Sequence, residues 1–89
     1  MQKKTLAIII PCYNEANRLP IENYKSFFNK TRDVSTFFIN DGSIDETANV
    51  IQEMGIEFSE QVNLISLEKN RGKGNAVLEG FNFVLNNHD

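Results

Sequence analysis

Apolar residues fall into six blocks along the chain, and the spacing inside each block predicts an element. Leu6 to Ile10 is apolar without alternation, the pattern of a strand covered on both faces of its sheet, and Pro11 is expected to end it because proline offers no amide hydrogen to a ladder. Tyr24, Phe27 and Phe28 recur at i, i+3 and i+4 behind Pro20, which suits the first turn of a helix running to about Lys30. Val34 to Asn40, VSTFFIN, is β-branched and aromatic and reads as a second strand. Ala48, Ile51 and Met54 continue as a helix, with Ser43 and Glu46 as a capping box at its start and Gly55 as its C-terminal stop. Val62 to Leu67, VNLISL, is a third strand. The last block places Ala76, Val77, Gly80, Phe81, Val84 and Leu85 on one broad stripe of a third helix.

Strand and helix alternate three times with short connections, which calls for an α/β fold, a three-layer βαβαβα unit with a parallel sheet and right-handed crossovers. Eighty-nine residues make one small domain with a thin core. Hydrophobic content of 40 % with seven Phe argues for a globular chain. The single cysteine permits no internal disulfide, and no secretory pattern or bilayer-length apolar run is seen, so the expected location is cytoplasmic.

Net charge of −3 gives no reason to expect nucleic-acid binding. Its distribution is more informative. From Asp33 to Glu68 there are eight Asp and Glu and no Lys or Arg, and then Lys69, Arg71 and Lys73 arrive together, which suggests an anionic ligand at that turn.

In open parallel sheets ligands bind beyond the carboxyl ends of the strands. Three polar loops are expected on that rim: Cys12 to Glu15, Asp41 to Ser43, and Asn70 to Lys73. Together they hold an aromatic ring, two carboxylates, glycines that admit a ligand to the backbone, and a cationic turn before a helix. Those groups suit a nucleotide, whose base stacks on a ring and gives its imino hydrogen to a carboxylate, and whose phosphates suit helix amides and Lys. A dinucleotide fingerprint fails because Val77 stands where its last glycine belongs, and a P-loop fails because Gly74 follows Lys73 in place of Ser or Thr. Cys12 with His88 is not read as a nucleophile and base.

At these loops the chain resembles the inverting family 2 glycosyltransferases of the GT-A fold, a Rossmann-like nucleotide-diphospho-sugar transferase fold. The motifs are PCYNE, INDGSIDET and NRGKGNAV, and the likeness spans Leu6 to Phe83. Within the family it most resembles the dolichyl- and polyprenyl-phosphate mannosyl- and glucosyltransferases. The resemblance implies that Pro11, Tyr13 and Glu15 embrace the base and ribose of a UDP- or GDP-linked sugar. It also implies that Asp41 is the base-binding carboxylate and that Lys73 is the basic position near the nucleotide. Asn40 stands where the family often has a first acid.

The family's metal-binding AspXaaAsp and its acceptor half do not occur in residues 1–89. The expectation is therefore a partial GT-A domain over residues 1–89, with no catalytic or metal-binding residue of its own and no transfer activity alone. Mg²⁺ or Mn²⁺ belongs to the expected full-length enzyme, with a lipid phosphate (polyprenyl or dolichyl phosphate) or a cell-surface glycan as acceptor and a place at the cytoplasmic face of a membrane. In the family's sheet order the first strand lies between the second and a fourth, so its outer edge is expected to be bare and to invite a homodimer. The alternative is a non-enzymatic nucleotide-binding or interaction module that keeps the fold without the chemistry.

Overall fold

A computed structural model describes residues 6–87. Its order is β1 (Leu6–Cys12), α1 (Ile21–Lys30), β2 (Val34–Asp41), α2 (Thr47–Glu57), β3 (Val62–Leu67) and α3 (Lys73–Asn87). The strands form one sheet in the order β1-β2-β3, and both pairings are parallel. Cys12 lies beside Asn40 and Asn40 beside Ser66, so the strands end level and their loops leave from one rim.

The sheet residues alternate between two apolar faces, as a two-residue period requires. On one face Ile10, Cys12, Phe38, Val62 and Leu64 pack with Tyr24 and Phe28 of α1 and with Ile51 and Met54 of α2. Tyr24 meets Phe38 edge to face at 5.2 Å between centroids, and Phe28 lies 5.5 Å from Phe58. On the other face Ile9, Phe37, Ile39, Ile65 and Leu67 pack with Ala76 and Val84 of α3. Phe28, Phe38, Ile39 and Ile51 are fully buried, each stabilising the fold by roughly 1.5–3 kcal/mol. The three-layer α/β reading from the sequence holds.

Four local expectations do not. Pro11 stays in the strand, paired with Ile39. Among the described residues β1 pairs with β2 alone, and an edge strand tolerates a residue that lacks an amide hydrogen. Gly55 does not stop α2, which continues to Glu57 and closes with the Phe58 amide on the Met54 carbonyl. The Ser43–Glu46 capping box is absent: the N-cap residue Glu46 makes no side-chain cap bond, Ser43 Oγ accepts the Asn14 amide of another loop, and the first amide of α2, that of Thr47, donates to Asp45 Oδ1 instead. The stripe on α3 is split. Ala76 and Gly80 face the sheet, where a Cβ on Gly80 would stand 2.8 Å from Ile9 Cγ2, whereas Val77, Phe81 and Leu85 are exposed.

A buried glutamine closes the far end of the molecule. Gln61 Nε2 donates to the carbonyls of Phe28 and Thr31 at the end of α1, each at 2.7 Å, while its own carbonyl accepts the Thr36 amide. Helix ends leave carbonyls without partners, and here one side chain just before β3 satisfies two of them.

Candidate functional site

The rim loops are tied to one another by the Asp41–Thr47 segment. On one side it grips the loop after β1. The Asn14 amide donates to Ser43 Oγ at 2.9 Å, the Ile44 amide donates to Asn14 Oδ1 at 3.0 Å, the Glu15 amide donates to Thr47 Oγ1 at 2.8 Å, and the Ala16 amide donates to Asp45 Oδ2 at 3.3 Å. Asn14 takes a left-handed conformation there, with φ of 51°, which asparagine tolerates better than most residues. Thr47 is fully buried, and its amide and hydroxyl both donate to Asp45 Oδ1. Those bonds hold the Asp45 carboxyl below the usual carboxylate range, the Thr47 hydroxyl being the main cause.

On its other side the segment grips the turn after β3. Asp41 Oδ1 accepts the Arg71 amide at 3.0 Å, and Oδ2 accepts the Gly72 amide and Asn70 Nδ2, both at 2.9 Å. The Asp41 carbonyl accepts the same Asn70 amide group at 3.1 Å. Gly42, at φ of 68°, sits under this turn so closely that a Cβ would lie 2.4 Å from the Asn70 nitrogen. Asn40 Oδ1 accepts the Ser43 amide, and its Nδ2 donates to Ser66 of β3.

The result is a cavity of about 260 Å³ lined by Pro11, Cys12, Tyr13, Glu15, Asp41, Asn70 and Lys73. All five residues named from the sequence, Pro11, Tyr13, Glu15, Asp41 and Lys73, are brought together there. Tyr13 is 42 % exposed at the cavity. Lys73 opens α3, directly after Gly72, whose carbonyl accepts the Ala76 amide. Glu15 is half-buried and pairs with Arg18 Nε at 3.1 Å. Cys12 is buried, and burial first, with the Glu15 charge second, pushes its thiol up to about 11, so it stands as a neutral wall. His88 lies outside the described residues.

The cationic patch does not act as one group. Lys73 faces this cavity, whereas Lys69 and Arg71 line a second, polar one of about 390 Å³ with Leu67, Glu68, Asn75 and Glu79. Sequence reasoning placed Asn14 and Asn70 on the rim without giving them a bond to make, read Asp45 as a first-turn charge and Thr47 as helix packing, and so missed how these four build the site. The ST/Asx chemistry of those residues was visible in the sequence, but their partners lie about 30 positions away.

Comparison with known proteins follows the same boundaries. The profile of the family described as Glycosyl transferase family 2 matches residues 7–87. A Bacillus subtilis protein that carries a glycosyltransferase name, CsbB, is 39 % identical over 87 residues, covering 94 % of this chain and 26 % of its own length. The dolichyl-phosphate beta-glucosyltransferase of Homo sapiens is 35 % identical over 86 residues, covering 86 % of this chain and 26 % of its own length. A mannosyltransferase of Pyrobaculum calidifontis, solved in complex with GDP-Man and Mn²⁺, shares the fold with a TM-score of 0.72 at 18 % identity, over 93 % of this chain and 25 % of that one. The chain thus spans about a quarter of the length of these relatives.

Proposed function

The chain belongs to glycosyl transferase family 2, and on that premise we propose that it supplies the nucleotide-binding rim of an enzyme that moves a sugar from a nucleoside diphosphate to an acceptor. The observation that carries this reading is the convergence of Pro11, Tyr13, Glu15, Asp41 and Lys73, from three separate loops, on one cavity. Tyr13 stacks on the base, Pro11 and Glu15 flank the ribose, and Lys73 with the first amides of α3 faces the diphosphate. UDP and GDP are the candidate carriers.

In the whole protein the reaction is an in-line displacement with inversion. An oxygen of the acceptor, proposed to be a polyprenyl or dolichyl phosphate, forms a bond to the anomeric carbon as the bond from that carbon to the diphosphate oxygen breaks, and the electron pair leaves with the nucleoside diphosphate. The rim described here binds and orients the leaving group. We place the reaction in the cytoplasm, at the membrane face that holds such an acceptor. Among the described residues no helix is long and apolar enough to cross a membrane.

Mg²⁺ or Mn²⁺ is proposed for the whole protein alone. Among the described residues no three His, Cys, Asp or Glu side chains gather to hold a cation. Of the two acids at the cavity, Glu15 pairs with Arg18 and Asp41 is taken up by the turn. The described residues do not fit a metal, and no step is routed through one. We also propose a homodimer through the outer edge of β1.

Calorimetry with UDP and GDP tests the binding site. Tyr13→Ala and Lys73→Met should each weaken binding by about 1–3 kcal/mol, and undiminished binding by both would sink it. Residues 1–89 with a nucleotide sugar and a polyprenyl phosphate should show no turnover, whereas the whole protein should. A whole protein that binds the nucleotide yet transfers no sugar would favour the non-enzymatic module.

A further inference from the structure

Building on the nucleotide reading above, we infer that Asp41 is a positioning residue whose carboxylate holds the Asn70–Gly72 turn in the shape that presents Lys73 and the start of α3 to the diphosphate. A carboxylate has about four lone-pair sites, and three of those on Asp41 are already filled by Arg71, Gly72 and Asn70. The residue is 2 % exposed. A buried charge persists only where such bonds replace water, and bonds to an ionised acceptor are the strong ones. The acid therefore spends most of its hydrogen-bonding capacity on the turn.

Among the described residues the hydrogen bonds donated by this turn converge on Asp41. The amides of Arg71 and Gly72 are consecutive, and both aim at Asp41. Gly72 holds φ of 100°, and its carbonyl begins the α3 ladder by accepting from Ala76. Lys73 is the next residue, so displacing the Gly72 amide displaces Lys73 and the helix start with it. Gly42 adds the seat: only a residue without a Cβ lets the Asn70 backbone lie against the end of β2.

Asp41→Asn tests this with nearly unchanged shape, since it replaces one acceptor oxygen with an NH₂ group that faces other donors. The probes are inorganic pyrophosphate, UDP and uridine, titrated into the 89-residue chain by NMR. The expected result is a rise of about tenfold or more in Kd for pyrophosphate and UDP, with uridine unchanged within about twofold. Gly72→Ala puts a methyl group into open space yet strains the backbone, and should reproduce the same split. It also serves if Asp41→Asn does not fold. The Arg71 and Gly72 amides should exchange faster with solvent in Asp41→Asn.

An Asp41→Asn chain that keeps pyrophosphate but loses uridine would show that the acid contacts the base, and overturns the inference. Unchanged exchange of the two amides overturns it as well. If the unaltered chain binds neither pyrophosphate nor UDP, the nucleotide reading itself falls, and the exchange rates alone decide whether Asp41 sets the turn.

Discussion

The backbone amide of Glu15 donates to the hydroxyl of Thr47 across 2.8 Å, joining two loops that are 32 positions apart in the chain. Thr47 is fully buried and does not line the cavity, so it touches no ligand there. It nevertheless anchors the backbone at Glu15, two residues after Tyr13. The same hydroxyl donates to Asp45, which also accepts the Ala16 amide, so one short segment fixes two successive amides of the aromatic loop.

Thr47→Val keeps the side chain's shape and removes the acceptor. The Glu15 amide then loses its partner, at a cost of about 1–3 kcal/mol. Thr47→Ser keeps the oxygen and should restore most of that loss. Urea unfolding of the three chains measures it, and equal midpoints for Thr47→Val and the unaltered chain would refute the latch.

Asp45 gives the latch a pH dependence. Its carboxyl is held below its ordinary range by the bonds from Thr47 and Ala16. A group with a depressed folded pKa adds stability that is fully present above its unfolded pKa, about 3.9 for Asp, and is lost as pH falls through the folded value. The stability gap between the unaltered chain and Asp45→Asn should be open at neutral pH and close as the solution is acidified below the ordinary carboxylate range. Denaturant unfolding at a series of pH values checks this, and a gap that widens toward acid would contradict it. The Asp45 side chain is solvent-exposed, so the effect is small.

The sequence disclosed what depends on neighbours in the chain. β3 runs from Val62 to Leu67 as its apolar run predicts, and the three rim motifs lie at strand ends because alternating strands and helices permit little else. What it concealed depends on distant partners. Ser43 and Glu46 have the spacing of a capping box, yet Ser43 accepts from Asn14 on another loop. The apolar stripe of α3 is two residues wide, but the sheet approaches so closely at Gly80 that Val77, Phe81 and Leu85 turn outward. Lys69, Arg71 and Lys73 look like one patch until the turn places Lys73 at one cavity and the other two at another. Gln61 carried no sequence signal, since its partners are carbonyls at the end of a helix some 30 residues earlier.

The proposed homodimer rests on the outer surface of β1 and α3. Among the described residues β1 has no second partner, and α3 exposes Leu78, Phe81 and Leu85 by 54, 52 and 62 %. An open strand edge beside exposed apolar side chains invites a second copy. Sedimentation equilibrium at micromolar concentration should show a dimer, and Phe81→Glu with Leu85→Glu should dissociate it. A monomer at every concentration removes the proposed homodimer.

Thr36 offers a gain in stability. Its Oγ1 is buried and has no hydrogen-bond partner among the described residues. Thr36→Val exchanges that hydroxyl for a methyl group of similar size and should raise stability by about 1 kcal/mol. A lower thermal midpoint would show that the hydroxyl has a partner.

Gln61 makes a buried polar contribution away from the cavity. Its amide nitrogen satisfies the Phe28 and Thr31 carbonyls, both at 2.7 Å, and the residue is 3 % exposed. Gln61→Leu fills the space but leaves both carbonyls without that donor, each costing about 1–3 kcal/mol. The Thr36 amide is unaffected, because it bonds to the Gln61 main chain, so the register of β2 against β3 should survive while the end of α1 loosens. Gln61→Glu separates shape from donation: it keeps the length and replaces the donor with an acceptor facing two carbonyls, and it should be at least as damaging as leucine. Hydrogen exchange localises the effect, with faster exchange expected in the last turn of α1 and little change along β2. A Gln61→Glu chain as stable as the unaltered one at neutral pH would mean that the α1 terminus is held by packing of Phe28 against Phe58, and that the two bonds contribute nothing measurable.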